Sequence, residues 1–196
     1  MKKVIIWICL CAIIVLNSKV DSWAYAATCE NVESYIVKNT LTAEELIENN
    51  IVSEDELKEG EILLGGIEGD VYLDTEENIT SARVITGVAH IRSYATYSKT
   101  EGVSVYVKLY APWYTFTNPK FTMMCGYVTC VLGDESQVQG FSEVANETET
   151  ISKTVDIGMT AKSGTTGTVS VAGVATGTNI ATYAGEFSIS YDVEIP

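Results

Sequence analysis

Apolar and polar residues alternate along most of the chain beyond residue 67. In Phe187–Ile195 every odd residue is apolar and every even residue is polar, and Val103–Leu109 alternates in the same way. A period of two predicts strands with one buried face and one solvated face. Short stretches rich in Gly, Thr, Ser and Asn separate these runs. We therefore predict an antiparallel β-sandwich of about seven or eight strands over residues 67–196, with a barrel as the second choice.

The preceding segment, residues 27–66, has a helical pattern. It contains two S/T-x-x-E capping boxes, in which the hydroxyl and the carboxylate each accept a hydrogen bond from a backbone N–H at the start of a helix. These boxes begin at Thr42 and Ser53. They predict two short acidic helices, at 42–49 and 53–59.

The first 26 residues have the pattern of a secretory signal peptide. Two lysines precede an apolar run, Val4–Leu16, and the small-residue motif Ala24-Tyr25-Ala26 follows, which predicts cleavage before Ala27 and a secreted, extracellular protein. The alternative is a retained membrane anchor, but 13 helical residues span only about 20 Å of a hydrocarbon core of about 30 Å. Lipid modification of Cys29 is a third option, although the residues before it lack the expected pattern.

Negative charge dominates the composition and is concentrated near the N-terminus. The chain has a formal net charge of −14. Residues 30–77 hold 15 acidic side chains and two lysines, whereas residues 78–196 hold 10 acidic and seven basic side chains. Such a protein repels nucleic acid at long range, and no basic cluster offsets this repulsion. We therefore predict no nucleic-acid partner.

Five cysteines occur, two of them in the predicted signal peptide. The remaining three are Cys29, Cys125 and Cys130. On one continuous strand Cys125 and Cys130 lie roughly 16 Å apart, whereas a disulfide needs Cα atoms within about 7 Å. A Cys125–Cys130 disulfide therefore requires a turn at Gly126-Tyr127. These spacings do not form a zinc site, and we predict no metal.

One hairpin and its register follow from the alternation. Val84–Tyr97 and Val103–Tyr110 flank a five-residue loop, and pairing them so that position numbers sum to 200 puts Ile91 opposite Leu109 on the inner side. Tyrosines combine a flat ring with a polar tip and cations add charge, which suits sugars or anionic glycans. The alternative is a solvated face with ordinary cross-strand packing. We call the outer side the aromatic face: His90, Arg92, Tyr94, Tyr106, Lys108 and Tyr110.

A second hairpin is predicted from Thr154–Lys162 and Thr168–Thr176, with positions that sum to 330. One side of this hairpin is apolar and the other is rich in Ser, Thr and Gly. Its length and alternation suit a transmembrane barrel hairpin. In this general character, and without a shared motif, the segment resembles the hairpins that aerolysin-type pore-forming toxins insert into membranes. An ordinary sandwich hairpin has the same pattern.

No catalytic motif stands out. His90 is the one histidine of the chain, it lies in a predicted strand, and no nucleophile elbow accompanies it. No phosphate-binding glycine loop or dinucleotide fingerprint is present, and we predict no cofactor. Acidic residues are too numerous for one glycosidase pair to be singled out.

Two local patterns suggest further binding sites. Trp113 begins an aromatic cluster that can stack on a sugar ring or fill the end of a core. Oxygen-bearing side chains alternate at 74–78 as in a calcium loop, but Ile79 occupies the position at which such a loop needs glycine. A solvated acidic surface is the alternative at this second place.

Three functional hypotheses result. The first is a secreted, non-enzymatic module that binds a cell-surface glycan or protein through the aromatic face or Trp113. The second is a membrane-active, pore-forming protein that inserts the 154–176 hairpin. The third is a hydrolase that acts on polysaccharide.

Overall fold

The computed structural model describes residues 39–53, 57–75, 85–111, 120–178 and 182–196, all within one compact unit, Tyr35–Pro196. Over these residues the chain forms nine β-strands and one short helix, so the prediction of a mainly β protein is confirmed. The elements are β1 (Asn39–Leu41), α1 (Ala43–Glu48), β2 (Ile62–Thr75), β3 (Ile85–Ser98), β4 (Gly102–Tyr110), β5 (Lys120–Leu132), β6 (Glu135–Thr148), β7 (Thr150–Asp156), β8 (Thr166–Thr178) and β9 (Thr182–Glu194).

Eight strands, β2–β9, make up the region predicted to hold about seven or eight, and β1 is an additional strand outside it. The short strand β1 lies in the segment for which the sequence pattern predicts helices, and β2 begins in the same segment, at Ile62. β1 pairs with β2 from Asn39 opposite Glu68 to Leu41 opposite Gly66. Three residues are too few for an alternation to be recognised, so the pattern of the sequence could not reveal β1.

All strand pairs are antiparallel, in the order β6-β5-β8-β9-β2-β3-β4-β7, with β1 added to β2. Among the described residues, β9 and β2 pair at two positions, Asp74 with Ala184 and Thr75 with Tyr183. The strands therefore fall into two sheets that meet at this corner. The order does not close into a barrel, because β6 and β7 at its two ends are not paired. A cleft of about 320 Å³ lies between residues 139–142 of β6 and residues 153–156 of β7.

The alternation of the sequence becomes one buried face on each sheet. Along β9, Phe187, Ile189, Tyr191 and Val193 are buried, and the residues between them are exposed. The inward side chains of both sheets form a single hydrophobic cluster. One polar contact lies inside it, since Ser93 Oγ of β3 and Tyr191 Oη of β9 hydrogen-bond at 3.1 Å. This pairing satisfies two hydroxyls that would otherwise be costly to bury.

Helix α1 begins at the first predicted capping box. Glu45 N donates to Thr42 Oγ1 at 3.2 Å, and Thr42 N donates to Glu45 Oε2 at 2.8 Å. Leu46 is the fully buried residue of the helix, and it packs with Val52 and Leu63 in a second, smaller cluster. In the second predicted helix, at 53–59, residue 53 and residues 57–59 are not helical, and residues 54–56 lie outside the described residues.

The capping box should contribute measurably to the local stability of α1. Thr42→Ala removes the acceptor for Glu45 N, and a lost N-cap costs about 1 kcal/mol. We expect faster hydrogen exchange at the backbone amides of residues 45–49, measured by mass spectrometry or NMR. Thr40→Ala, an exposed threonine in β1, serves as the control. Equal exchange in the two variants would show that the cap contributes nothing.

The predicted hairpin over 154–176 is wrong. β7 pairs with β4, from Ser104 opposite Asp156 to Tyr110 opposite Thr150, whereas β8 pairs with β5 and β9. Residues 157–165 connect the two sheets. Ile157 and Met159 are buried as the alternation requires, but their partner is the start of β4, because Val103 N donates to Met159 O at 2.9 Å. The pattern therefore identified the buried side chains and misassigned the neighbouring strand.

The disulfide that depended on a turn at residues 126–127 does not form. β5 runs without interruption through Cys125 and Cys130, and both are buried and not disulfide-bonded. Five residues of regular strand separate them, so their side chains point to opposite faces. Cys130 is fully buried in the core beneath the sheet.

Candidate functional site

The aromatic face is assembled as predicted, since the register of β3 with β4 is confirmed at every position. His90 lies opposite Tyr110, Arg92 opposite Lys108, and Tyr94 opposite Tyr106. Ile91, Ala95, Val105 and Leu109, on the other side of the same strands, are fully buried. The burial of these four side chains fixes the parity of the hairpin, because a slip of one residue would expose all of them.

Strand β2 adds two carboxylates that the sequence analysis did not assign to this face. Glu68 lies opposite Arg92, and Asp70 lies opposite His90. A signal for them is present in Ile67–Val71, where Glu68 and Asp70 alternate with apolar residues or glycine. The partner of this strand could not be read from the alternation, so the two carboxylates had no assigned neighbour.

Both carboxylates bind their neighbours directly. Arg92 Nε donates to Glu68 Oε1 at 2.6 Å, and Arg92 Nη2 lies 2.5 Å from the same oxygen. His90 Nδ1 hydrogen-bonds to Asp70 Oδ1. A carboxylate can only accept, so the imidazole donates from Nδ1. The two permanent cations of the face, Arg92 and Lys108, are matched in number by the two carboxylates, Glu68 and Asp70.

Tyr110 lies at the centre of the cationic part of the face. Its ring centroid is 5.1 Å from that of His90, 5.4 Å from Arg92 Cζ and 5.6 Å from Lys108 Nζ. The two cations lie within the range of cation–π attraction. Burial, and secondarily the charge of Glu68, raises the pKa of the Tyr110 phenol. The phenol therefore stays protonated at neutral pH and can donate a hydrogen bond.

Tyr94 and Tyr106 form a stacked pair, with ring centroids 4.8 Å apart and planes inclined by 29°. The segment that follows α1 covers the side of this pair that belongs to β3. Tyr94 packs against the cluster of Leu46, Val52 and Leu63, and Arg92 Nη1 donates to Ile51 O at 3.4 Å. The Tyr94 end of the face is thus partly occupied by the chain itself. Tyr106, Lys108, Tyr110 and His90 remain half-buried and reachable from solvent.

Two predicted sites fall wholly or partly outside the described residues. Trp113 lies within residues 112–119, and the oxygen-rich stretch at 74–79 is outside from residue 76 onward. Across the described part of the chain, no group of three or more His, Cys, Asp or Glu side chains is arranged to hold a metal ion. Within the same ranges, no helix is long and apolar enough to cross a membrane.

The aromatic face is a shallow surface, on which hydroxyl-rich ligands can stack on a ring and exchange hydrogen bonds with the surrounding charged groups. Comparison with known proteins does not narrow this chemistry further. No protein-family model, curated protein or solved structure gives a significant match to the chain.

Proposed function

We propose that the protein is a secreted, non-enzymatic binding module that recognises a neutral glycan through the exposed part of the aromatic face. The observation that carries this proposal is the charge balance around Tyr110. Arg92 and His90 are already bound to Glu68 and Asp70, so little positive charge is left to attract an anionic glycan. The sequence alone suggested either sugars or anionic glycans, and the ion pairs favour the neutral class.

The chemistry of the exposed residues suits a sugar ring. The apolar face of a pyranose can stack on Tyr106 or Tyr110, and such aromatic contacts combine flat area with a polar tip. Lys108 offers donors to sugar hydroxyls, and Asp70 offers carboxylate acceptors. Charge-assisted hydrogen bonds of this kind are roughly twice as strong as neutral ones. Among the described residues, no carboxylate lies within 4.0 Å of Lys108 Nζ, so this ammonium group is available to a ligand.

Binding to immobilised glycans tests the proposal. We expect the protein to retain neutral polysaccharides, with an affinity that changes little between low and high salt, because screening weakens charge attraction and leaves stacking intact. Tyr106→Ala and Tyr110→Ala should each weaken binding about tenfold, which corresponds to about 1.4 kcal/mol. Tyr127→Ala is the matched control, because Tyr127 lies on the outer side of the other sheet, next to Gly140 and Ala172.

Three results would contradict the proposal. These are binding that survives both aromatic-face substitutions, binding confined to anionic glycans and abolished by salt, and retention of no glycan at all. Release of new reducing ends from the bound polysaccharide would instead favour a hydrolase. Thermal unfolding of each variant separates loss of binding from loss of fold.

We also propose the finer features of the architecture and the location. The two sheets stack as a β-sandwich, which the shared core and the Ser93–Tyr191 hydrogen bond support. The capping box at Ser53 supports a second short helix that ends before residue 57, because residues 57–59 are not helical. The pattern of residues 1–26 supports a cleaved signal peptide and extracellular location, and intact-mass measurement of the protein in the medium tests both.

A further inference from the structure

Strand β6 has one edge without a partner among the described strands and is solvated on both faces along its first half. It is the terminal strand in the order β6-β5-β8-β9, and β5 pairs with one of its edges. Residues 135–140 are all exposed, irrespective of the face to which they point. The first buried side chain along the strand is Phe141. An edge of this kind offers unpaired backbone N–H and C=O groups to another strand.

The usual protections of an edge strand are missing from this part of β6. Natural edges are commonly blunted by lysine, proline, inward charges or bulges. Residues 136–142 (Ser-Gln-Val-Gln-Gly-Phe-Ser) contain neither a charged residue nor a proline, although the chain as a whole carries −14. The irregularity of the strand lies further on, where Glu147 has a φ of 51° and the register with β5 shifts. The first half of β6 is therefore regular and uncharged, and where its free edge approaches β7, at residues 139–142, the two strands are separated by the cleft of about 320 Å³ described above.

Exposed apolar side chains are concentrated on the same hairpin. Four large hydrophobic residues of the described chain are exposed, and three of them belong to β5 and β6: Val131, Val138 and Val144. Val138 is 48% exposed and lies opposite Thr129 on the outer side of the sheet, at the middle of the open stretch. Contact with another apolar side chain would remove this valine from water, which is favourable in free energy.

We propose that this edge pairs with the β6 edge of a second copy of the chain, antiparallel and symmetric about Val138. The segment is self-complementary in that register. Val138 meets Val138 of the partner subunit, Gln137 meets the partner's Gln139, and Ser136 meets the partner's Gly140. Apolar side chains thus face apolar ones, amides face amides, and small residues face small residues. Glu135 faces the partner's Phe141, so no like charges lie directly opposite each other. Shifting the pairing by two residues would place Val138 against the partner's Ser136 or the partner's Gly140, depending on the direction of the shift.

The resulting interface is isologous and closed, and it joins two four-stranded sheets into one of eight strands. It is independent of the aromatic face, which lies on the other sheet. Because each copy carries a large negative charge, long-range repulsion opposes association and salt screens it. The dimer should therefore become more stable as salt is added, whereas a contact based on opposite charges would weaken.

Sedimentation of the full-length protein over a range of concentrations tests the proposal. We expect a monomer–dimer equilibrium, with more dimer at higher salt. Val138→Lys puts two ammonium groups opposite each other at the symmetry axis and should raise the dissociation constant at least about tenfold. Val144→Lys is the matched control, because Val144 is 74% exposed on the same strand but lies outside the paired stretch. A strictly monomeric protein, equal effects of the two variants, or open-ended oligomers would overturn the proposal.

Cross-linking tests the register separately. In the proposed pairing, Val138→Cys brings two introduced thiols together, so mild oxidation or a short bifunctional maleimide should give a covalent dimer. Mass spectrometry should identify the 138–138 linked peptide, and the unmodified chain provides the background from its own cysteines. Val144→Cys should give no linked peptide beyond this background. Linkage at 144 and not at 138 would overturn the register about Val138.

Discussion

Replacing Gly102 with alanine is expected to lower the free energy of unfolding by about 3 kcal/mol or more. Gly102 has a φ of 78°, a conformation that costs an L-residue about 1–2 kcal/mol. A Cβ at this position would lie 2.6 Å from both Gly158 C and Met159 O. These are backbone atoms of the connection between the sheets, so the connection would have to move. That movement would weaken the hydrogen bond of 2.9 Å from Val103 N to Met159 O, worth about 1 kcal/mol.

Gly164→Ala separates crowding from backbone strain. Gly164 has nearly the same φ, 80°, but a Cβ there would have no heavy atom within 4 Å. We expect this variant to lose only the strain energy, about 1–2 kcal/mol. Chemical denaturation of both variants gives the comparison. Equal losses would mean that the connection can withdraw from β4 at no cost, contrary to the packing described.

Alkaline pH is expected to destabilise the protein through the buried thiol of Cys130. Burial raises the pKa of this thiol from 9.0 to about 11. Between these values the unfolded chain loses the proton while the folded protein retains it. The unfolded state then binds fewer protons, so the free energy of unfolding falls as pH rises. Two pH units correspond to a loss of about 3 kcal/mol, present in full above pH 11 and absent below pH 9.

Cys130→Ala tests this assignment through the slope of stability against pH. The variant starts from a lower stability because it leaves a cavity in the core, but its stability should fall less steeply between pH 9 and 11. Tyr191 is the second buried group of this kind, since burial raises its pKa as well. Tyr191→Phe should therefore flatten the curve from about pH 10, the ordinary pKa of a tyrosine, upward. Parallel curves for the native chain and Cys130→Ala would exclude the thiol as the cause.

The β3–β4 hairpin could be predicted to the residue because two strong alternations flank a short loop. Once Ile91 and Leu109 are required to share the buried face, the register can change only in steps of two residues. The loop of five residues then selects one of these registers. The six residues of the aromatic face follow directly from that pairing.

The partner of β7 could not be predicted in this way. The alternation of apolar and polar residues predicts which side chains of a strand are buried, but it does not predict which strand lies next to it. In addition, the residues after Lys162 are rich in Gly and Thr and resemble a hairpin turn. In the fold, β7 ends at Asp156, and the residues after it run along the start of β4 before they reach β8. The pairing of β7 with β4 depends on contacts between residues that are distant in sequence, and a local pattern carries no information about such contacts.

The electrostatics of the aromatic face were missed for the same reason. Glu68 and Asp70 come from β2, which pairs with β3 but is separated from it by more residues of sequence than separate β3 from β4. Without that pairing, Arg92 and His90 look like free charges, and an anionic ligand looks suitable. The packing of the α1 segment on Tyr94 could not be predicted either. The apolar residues around α1 indicate that one side of this segment is buried, but they do not indicate which part of the protein covers it.

The position of β9 has a consequence for how the chain acquires its structure. β9 follows the other described strands along the chain but lies in the interior of the sheet order, between β8 and β2. Until residues 182–194 have left the ribosome, β8 lacks one neighbour and the two halves of the molecule have no shared corner. Contacts between segments so distant along the chain incur a large loop-closure entropy, and folds of this type assemble in milliseconds to seconds. Completion of folding therefore depends on the presence of residues 182–194, and a chain that stops before residue 182 cannot reach this structure.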